Sequence, residues 1–279
     1  MPKVWFITGA GRGFGLEFAK AALQRGDRVA ATARRARALD ALVTAHGDSV
    51  LPLPLDVTDR EAAFAAVRQA HEHFGRLDVV VNNAGYGLFG SVEEISEDQL
   101  RQQLEVNLFG VLHVTQAALP LLREQGSGHL VQISTIGGIA AFPNLGGYHV
   151  SKWALEGLSE SLAQEVAGFG IKVTLVEPGG YATDWSGSSA VHAEPQPQYA
   201  ALREAMAARA QSMDPTSIGE PSAAGQAILD LADAEEPPLR VFFGTVPTQL
   251  APHVYQQRLE QWDQWSWLSR KANGHGAVG

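Results

Sequence analysis

The sequence predicts a doubly wound α/β fold, a single parallel sheet of about seven strands with helices on both faces. Three observations carry that prediction. Short apolar runs recur along the chain without the polar alternation of a sheet that has one wet face, so both faces must be covered. Longer segments of helical period lie between them. Each strand must then cross over to a parallel neighbour, and right-handed crossovers wind helices onto both faces. Finally, the first apolar run leads without a break into a glycine-rich turn and then a helix.

The elements follow in order. Residues 3–8 read as a buried strand, 13–25 as a helix stopped by Gly26, and 28–33 as the second strand. An Arg- and Ala-rich helix runs to His46, then a strand over 49–55 and a helix over 59–74 with Thr58 or Asp59 as its N-cap. A fourth strand spans 77–82, and a long helix spans 96–125, with Pro120 as a possible kink. Residues 128–134 form a strand, 148–169 a helix, 171–177 a strand and 239–243 the seventh strand. Residues 186–197 read as a loop entering a variable helix, within a substrate loop and lid over 180–215. The tail over 247–272 is helical in pattern and carries Trp262, Trp265 and Trp267, to pack on the body or close a pocket. No solenoid repeat or low-complexity linker divides the chain, which predicts one domain over 1–279.

Composition bounds the function. The chain is 45% hydrophobic and 18% charged, enough for a core that needs no disulfide or metal staple. It has no cysteine, which excludes thiol catalysis, Cys-zinc sites and disulfides. A formal charge of −9 argues against nonspecific binding to nucleic acid or anionic membrane, so an anionic ligand needs local positive groups. No secretory signal precedes Val4, and no apolar stretch approaches a span of roughly 20 residues. The expectation is a cytoplasmic protein with no membrane span and no metal.

The glycine turn reads Thr8-Gly9-Ala10-Gly11-Arg12-Gly13-Phe14-Gly15. Glycines let the backbone turn sharply and approach a pyrophosphate, while the next helix offers free N–H groups and a positive dipole end. A glycine cluster alone is common; placed after the first strand and before a helix, it meets the context a dinucleotide (Rossmann) site demands. An NAD preference usually needs a carboxylate at the end of the second strand. Here Arg34 and Arg35 follow that strand, and Arg12 lies in the loop. Guanidiniums in place of a carboxylate favour a 2′-phosphate, hence NADP(H). Arg35 reads equally well as a solvated helix-start residue. The third strand ends Leu55-Asp56-Val57-Thr58; Asp56, beside Val57, could meet an adenine amino group or act as a helix cap.

Tyr148 and Lys152 stand four residues apart at the start of a helix and share a face. A phenol has an ordinary pKa of about 10, and a nearby ammonium favours phenolate, as general acid/base chemistry requires. At this point the sequence resembles the short-chain dehydrogenase/reductase family over nearly its whole length. The resemblance rests on the glycine loop, the run Asn82-Asn83-Ala84-Gly85, Asn107, the segment Ile133-Ser134-Thr135, the Tyr148–Lys152 pair, and Pro178-Gly179 with Thr183. It implies that Tyr148 exchanges a proton with the substrate oxygen. Lys152 would bind the nicotinamide ribose and lower the tyrosine pKa, and Asn107 would hold a relay water. Asn82, Ala84 and Gly85 would border the adenosine ribose, with Asn82-Asn83 also stabilising the central strands. Pro178, Gly179 and Thr183 would bracket the nicotinamide.

One departure matters. The family places a serine 13 residues before the tyrosine to polarise the carbonyl, and here that position is Thr135. Its hydroxyl can serve, in a pocket narrowed by the methyl, while Ser134 should point to the other side. The stretch from Ser151 to Leu162 resembles the retinol and hydroxysteroid dehydrogenase branch, which hints at bulky hydrophobic substrates. Candidate pocket residues are Phe89, Phe142, Leu145, His149, Tyr181 and Trp185, each equally readable as packing; His149 reads best as a packing or rim residue. The leading reading is an NADPH-dependent carbonyl reductase or, in reverse, a secondary-alcohol dehydrogenase. The alternatives are an NADP(H)-binding regulatory protein without turnover and a redox-neutral epimerase or lyase. The resemblance also implies a homodimer or homotetramer, paired through the helices over 96–125 and 148–169.

Overall fold

A computed structural model describes residues 2–274, so the domain expected over 1–279 extends beyond the described residues at both ends. In chain order the elements are β1 (Val4–Ile7), α1 (Gly13–Gln24), β2 (Arg28–Ala33), α2 (Asp40–His46), β3 (Val50–Pro54), α3 (Arg60–Phe74), β4 (Val79–Asn82) and β5 (Leu88–Phe89). There follow α4 (Glu97–Leu104), α5 (Gly110–Gln125), β6 (Gly128–Ile133), α6 (Gly146–Val166), β7 (Ile171–Pro178) and β8 (Val191–His192). The chain closes with α7 (Ala200–Gln211), α8 (Pro221–Asp233), β9 (Arg240–Phe243), α9 (Val246–Gln264) and α10 (Ser266–Ala272).

Seven of the strands form one parallel sheet in the order β3-β2-β1-β4-β6-β7-β9. β1 pairs with β2 on one side and β4 on the other, so the winding direction reverses there. A crevice opens at the carboxyl ends of such strands, and it is the ligand site of this architecture. Alternation along each strand splits the core into two layers. Trp5, Ile7, Val29 and Val81 pack with Phe18, Ala22 and Ile228 on one face. Phe6, Ala30, Val80 and Leu130 pack with Val67, Val114 and Leu122 on the other. Each of the Val, Leu, Ile and Phe side chains contributes on the order of 1.5–3 kcal/mol by leaving water.

Local signals set most boundaries. Asp59, not Thr58, caps α3 by accepting from Ala62 N at 2.9 Å. Gly75 ends that helix with φ +79, a conformation glycine adopts without strain. Ser96 and Gln99 form a reciprocal capping box that starts α4.

Two expectations need correction. The long helix over 96–125 is broken by a π-helical turn, Glu105–Phe109, while Pro120 lies inside α5. By length and composition alone, Glu97–Gln125 is also apolar enough to cross a membrane, against the expectation that no stretch approaches a span. In the fold it is a core helix that lays Val111, Val114, Ala118 and Leu122 inward. The parallel pair β5–β8 was not anticipated, because two-residue strands carry no period. It stitches the segment after β7 to the body through Val191 N to Gly87 O (2.9 Å) and Ala193 N to Phe89 O (2.7 Å). The tail packs on the body through Leu250 and Ala251, against Ile136, Ile139 and Phe142. Arg258 also donates to Ile139 O at 2.6 Å, while Trp262, Trp265 and Trp267 remain exposed.

Candidate active site

The glycine loop is built from contacts that admit no side chain. Thr8 Oγ1 accepts from Asn83 N and Ala84 N, both at 2.9 Å, which locks the end of β1 to the end of β4. Asn83 Nδ2 donates to Thr8 O (2.9 Å) and Gly9 O (3.3 Å). A Cβ on Gly15 would stand 2.5 Å from both Gly9 O and Asn83 Nδ2, and one on Gly11 would stand 2.9 Å from Ala38 Cβ. Off Gly13, with φ +55, the space is open. Arg12 is the N-cap of α1 and supplies no side-chain cap, so the first N–H groups of the helix remain available to an anion. These features fit a dinucleotide: backbone packed where it must close up, open space at a positive helix end.

The guanidiniums stand at the rim of this cradle. Arg34 is exposed just beyond β2. Arg12 Nη1 lies 3.5 Å from Asp184 Oδ2 on the opposite wall, an exposed pair of little energetic weight. Phe14 turns into the body, 5.5 Å from Phe18 and 4.7 Å from Tyr181 between ring centroids. Asp56 accepts from Thr58 N (3.0 Å) and Thr58 Oγ1 (2.8 Å), an Asx turn rather than a cap. Val57 is buried beneath it, against Gly110. Asn82 faces the core and donates to Thr115 Oγ1 at 3.2 Å, which ties the end of β4 to α5. Ala84 contributes its backbone N–H to Thr8, and Gly85 abuts Asn107, whose Oδ1 would stand 3.1 Å from an added Cβ.

Tyr148 and Lys152 are both buried on the inward face of α6. Lys152 Nζ donates to Ile133 O at 2.7 Å and lies 5.9 Å from the centroid of the Tyr148 ring. Burial pulls the lysine down to about 8, with the Glu156 carboxylate working against it. Burial pushes the Tyr148 phenol well above its ordinary range, and the Thr135 hydroxyl beside it works in the other direction. Desolvation sets this direction, opposite to the lowering expected from Lys152. Ser134 turns away, as expected, and donates to Glu156 Oε1 at 2.5 Å. Thr135 Oγ1 accepts from Gly137 N at 3.2 Å.

Asn107 sits in the π turn with its side chain fully used. It accepts from Tyr86 N (3.1 Å) and donates to Tyr86 O (3.0 Å) and Ser151 Oγ (3.1 Å).

The candidate pocket residues divide. The Trp185 ring lies 5.0 Å from Tyr148 and 5.2 Å from Phe89. Leu145, the N-cap of α6, bridges to Gly90 at the edge of this wall. His192 stacks on Phe89 at 5.0 Å. No sequence signal marked that contact, since only the β5–β8 pairing brings the two together. Phe142 instead packs beneath α9, and its N–H donates to His149 Nε2 at 2.9 Å. His149 is buried and its pKa is lowered by that burial, which makes it a neutral packing group, as expected. Tyr181 lies on Phe14 and over Gly219, so Phe142, His149 and Tyr181 each make packing contacts with the body. Gly179 N donates to Phe243 O at 2.9 Å next to Pro178, and Thr183 leads into the turn that carries Asp184 and Trp185.

A glycine cradle at the switch point of a doubly wound sheet, with a tyrosine and lysine buried at its mouth, is the architecture of an oxidoreductase. Residues 3–193 match the short chain dehydrogenase family, and the chain belongs to it. It is 44% identical over 270 residues to Oxidoreductase BOA17 of Botryotinia fuckeliana, covering 96% of this chain and 98% of that one. A short-chain dehydrogenase from Streptomyces avermitilis superposes with a TM-score of 0.89 at 40% identity, covering 97% of this chain and 98% of that one. More distant structures carry nucleotides. An alcohol dehydrogenase from Thermococcus sibiricus (27% identity, TM-score 0.73, covering 88% of this chain and 98% of that one) is complexed with 5-hydroxy-NADP. A Burkholderia phymatum short chain dehydrogenase/reductase (25% identity, TM-score 0.79, covering 94% and 95%) is in complex with NAD.

Proposed function

We propose that this protein is an NADP(H)-dependent carbonyl reductase for a hydrophobic ketone or aldehyde, in reverse a secondary-alcohol dehydrogenase. The observation that carries the reading is a buried Tyr148 phenol beside the Thr135 hydroxyl, faced by the Trp185 ring with Phe89 against Trp185. The bound cofactor would supply the hydride. The glycine loop and the N-terminus of α1 would hold its pyrophosphate, Arg12 and Arg34 its 2′-phosphate, and Pro178, Gly179 and Thr183 its nicotinamide end. Relatives with NADP and with NAD both exist, so the choice of NADP(H) rests on the guanidiniums and the missing carboxylate at the end of β2.

In reduction, Thr135 donates a hydrogen bond to the substrate oxygen and Tyr148 gives that oxygen its proton. The phenolate left behind is stabilised by the Lys152 ammonium and by Thr135, then reprotonated from solvent past Lys152 and the main chain at Asn107. A phenol is protonated at neutral pH at its ordinary pKa of about 10, and burial, which raises it, keeps that proton available for reduction. Trp185 and Phe89 exclude water and favour an apolar substrate. A dissociable nicotinamide cofactor suits work in the cytoplasm.

The test follows NADPH and NADH consumption over a panel of apolar ketones and aldehydes. Turnover with NADPH in preference to NADH is expected, and Arg34→Asp should reverse the preference by tenfold or more, the worth of one charge-assisted contact at ~1.4 kcal/mol per decade. Equal efficiency with NADH would remove the cofactor assignment. No consumption with any carbonyl would favour a regulatory or redox-neutral protein.

A further inference from the structure

Beneath the Tyr148–Lys152 pair lies a buried ionic cluster that the reaction as described does not use. Glu156 follows Lys152 by one turn on the inward face of α6. Its Oε1 accepts from Ser134 Oγ at 2.5 Å and its Oε2 from Arg240 Nε at 3.0 Å. Glu177, near the end of β7, is fully buried, and neither of its carboxylate oxygens has a hydrogen-bond partner among the described residues. Arg240 Nε lies 3.5 Å from Glu177 Oε1, and its Nη2 is bound to Glu160 at 2.8 Å. The sheet register explains the gathering. Val176 pairs with Ile133 and Glu177 with Phe242, so Ser134, Glu177 and Arg240 share the face that α6 covers.

The charges facing the cluster are Lys152, Glu156 and Glu160 from α6, Glu177 from β7 and Arg240 from β9. His129 and Lys172 belong to the far ends of β6 and β7. One guanidinium thus serves three carboxylates, two of them buried. Two adjacent buried carboxylates cannot both hold full charge with so little compensation.

We infer that Glu156 is a positioning residue that keeps Lys152 charged, and that Glu156 and Glu177 share a single proton, carried by Glu177. The inference rests on the proposed role of Lys152 at the cofactor. A protonated Glu177 can donate to Glu156, and this leaves one negative charge fixed between Ser134 and Arg240, a turn below the ammonium. Without that charge, burial would strip Lys152 of its proton at lower pH. Burial and the neighbouring Glu156 both push Glu177 up, which agrees with the geometry. By holding Ser134 inward, Glu156 also leaves Thr135 as the hydroxyl beside Tyr148.

Two measurements test this, and neither needs a substrate. Infrared difference spectra of the full chain at neutral pH should contain the carbonyl band of a buried carboxylic acid, lost in Glu177→Gln. Absence of the band, or its survival in that variant, overturns the shared proton. The pH dependence of NADPH affinity should have a basic limb from Lys152, moved down by about one pH unit in Glu156→Gln. Glu156→Asp, which keeps the charge, should move it by less than half as much. A limb unmoved in Glu156→Gln, or displaced a full unit in Glu156→Asp, overturns the positioning role. The Asp variant decides alone if the Gln variant does not fold. If the folded wild type binds no NADPH, the proposed function falls, and the infrared result still decides the proton.

Discussion

Replacing Lys152 with Met should make the protein more stable at neutral pH while abolishing turnover. The lysine is buried, and its pKa falls from 10.5 to about 8. Between those values the unfolded chain binds more protons than the folded one, so stability rises as pH climbs through that window. Below about pH 8 the cost of the buried charge is fully present. The drop is about 2.5 pH units, and at ~1.4 kcal/mol each the cost is about 3.5 kcal/mol. The hydrogen bond from Lys152 Nζ to Ile133 O, at 2.7 Å, returns about 1 kcal/mol and is lost in the variant. The net gain is about 2.5 kcal/mol at pH 7. With an unfolding entropy of ~2.1 cal/mol/K per residue over 279 residues, Tm should rise by about 4 °C. Thermal unfolding of the cofactor-free protein at neutral pH and at about pH 10 provides the assay, since the advantage should close as the wild-type lysine deprotonates. A Met variant that melts below wild type at neutral pH, or that keeps its full advantage at high pH, would refute the reasoning.

Thr135→Ala should lower turnover by about 10²–10³ with little change in stability, as for loss of one oxyanion donor. Ser134→Ala should instead lower Tm, because a buried Glu156 oxygen loses its donor at a cost of about 1–3 kcal/mol, with the smaller loss in kcat; the opposite ranking would reassign the polarising hydroxyl. Gly15→Ala should weaken NADPH binding tenfold or more, since its Cβ would meet Gly9 O and Asn83 Nδ2 at 2.5 Å and force the loop open; unchanged affinity in a titration would separate the loop from the cofactor. Phe109, Val150 and Phe169 are exposed on or beside the helices expected to pair between subunits. Sedimentation should therefore find a dimer or tetramer that Phe169→Asp weakens, and a monomer at all micromolar concentrations would refute that pairing.

The strands and the glycine turn were legible because their signals are local. A non-alternating Val- and Ala-rich strand, a glycine that alone tolerates its φ, and a four-residue helical spacing can each be read within one element. That is why β2 falls on residues 28–33 as expected, and why Tyr148 and Lys152 share a face. The π turn at Asn107 was not legible, because its cause is the clasp of Asn107 on the Tyr86 backbone, 21 residues away.

By itself the sequence determined a doubly wound sheet, a glycine turn after its first strand and a tyrosine and lysine on one helix face, because each follows from periodicity or spacing inside one element; their place at a common site came from the family resemblance. Only the tertiary structure decided how these groups are charged and which aromatics face them. Trp185 meets Tyr148, and His192 meets Phe89, through a two-residue strand pairing that leaves no pattern in the chain. Glu156 and Glu177, 21 positions apart, come to share one arginine. Burial then raises the phenol and lowers the ammonium, the reverse of what an isolated Tyr–Lys pair would suggest. Desolvation depends on everything packed around a group, and no spacing of residues along the chain encodes it.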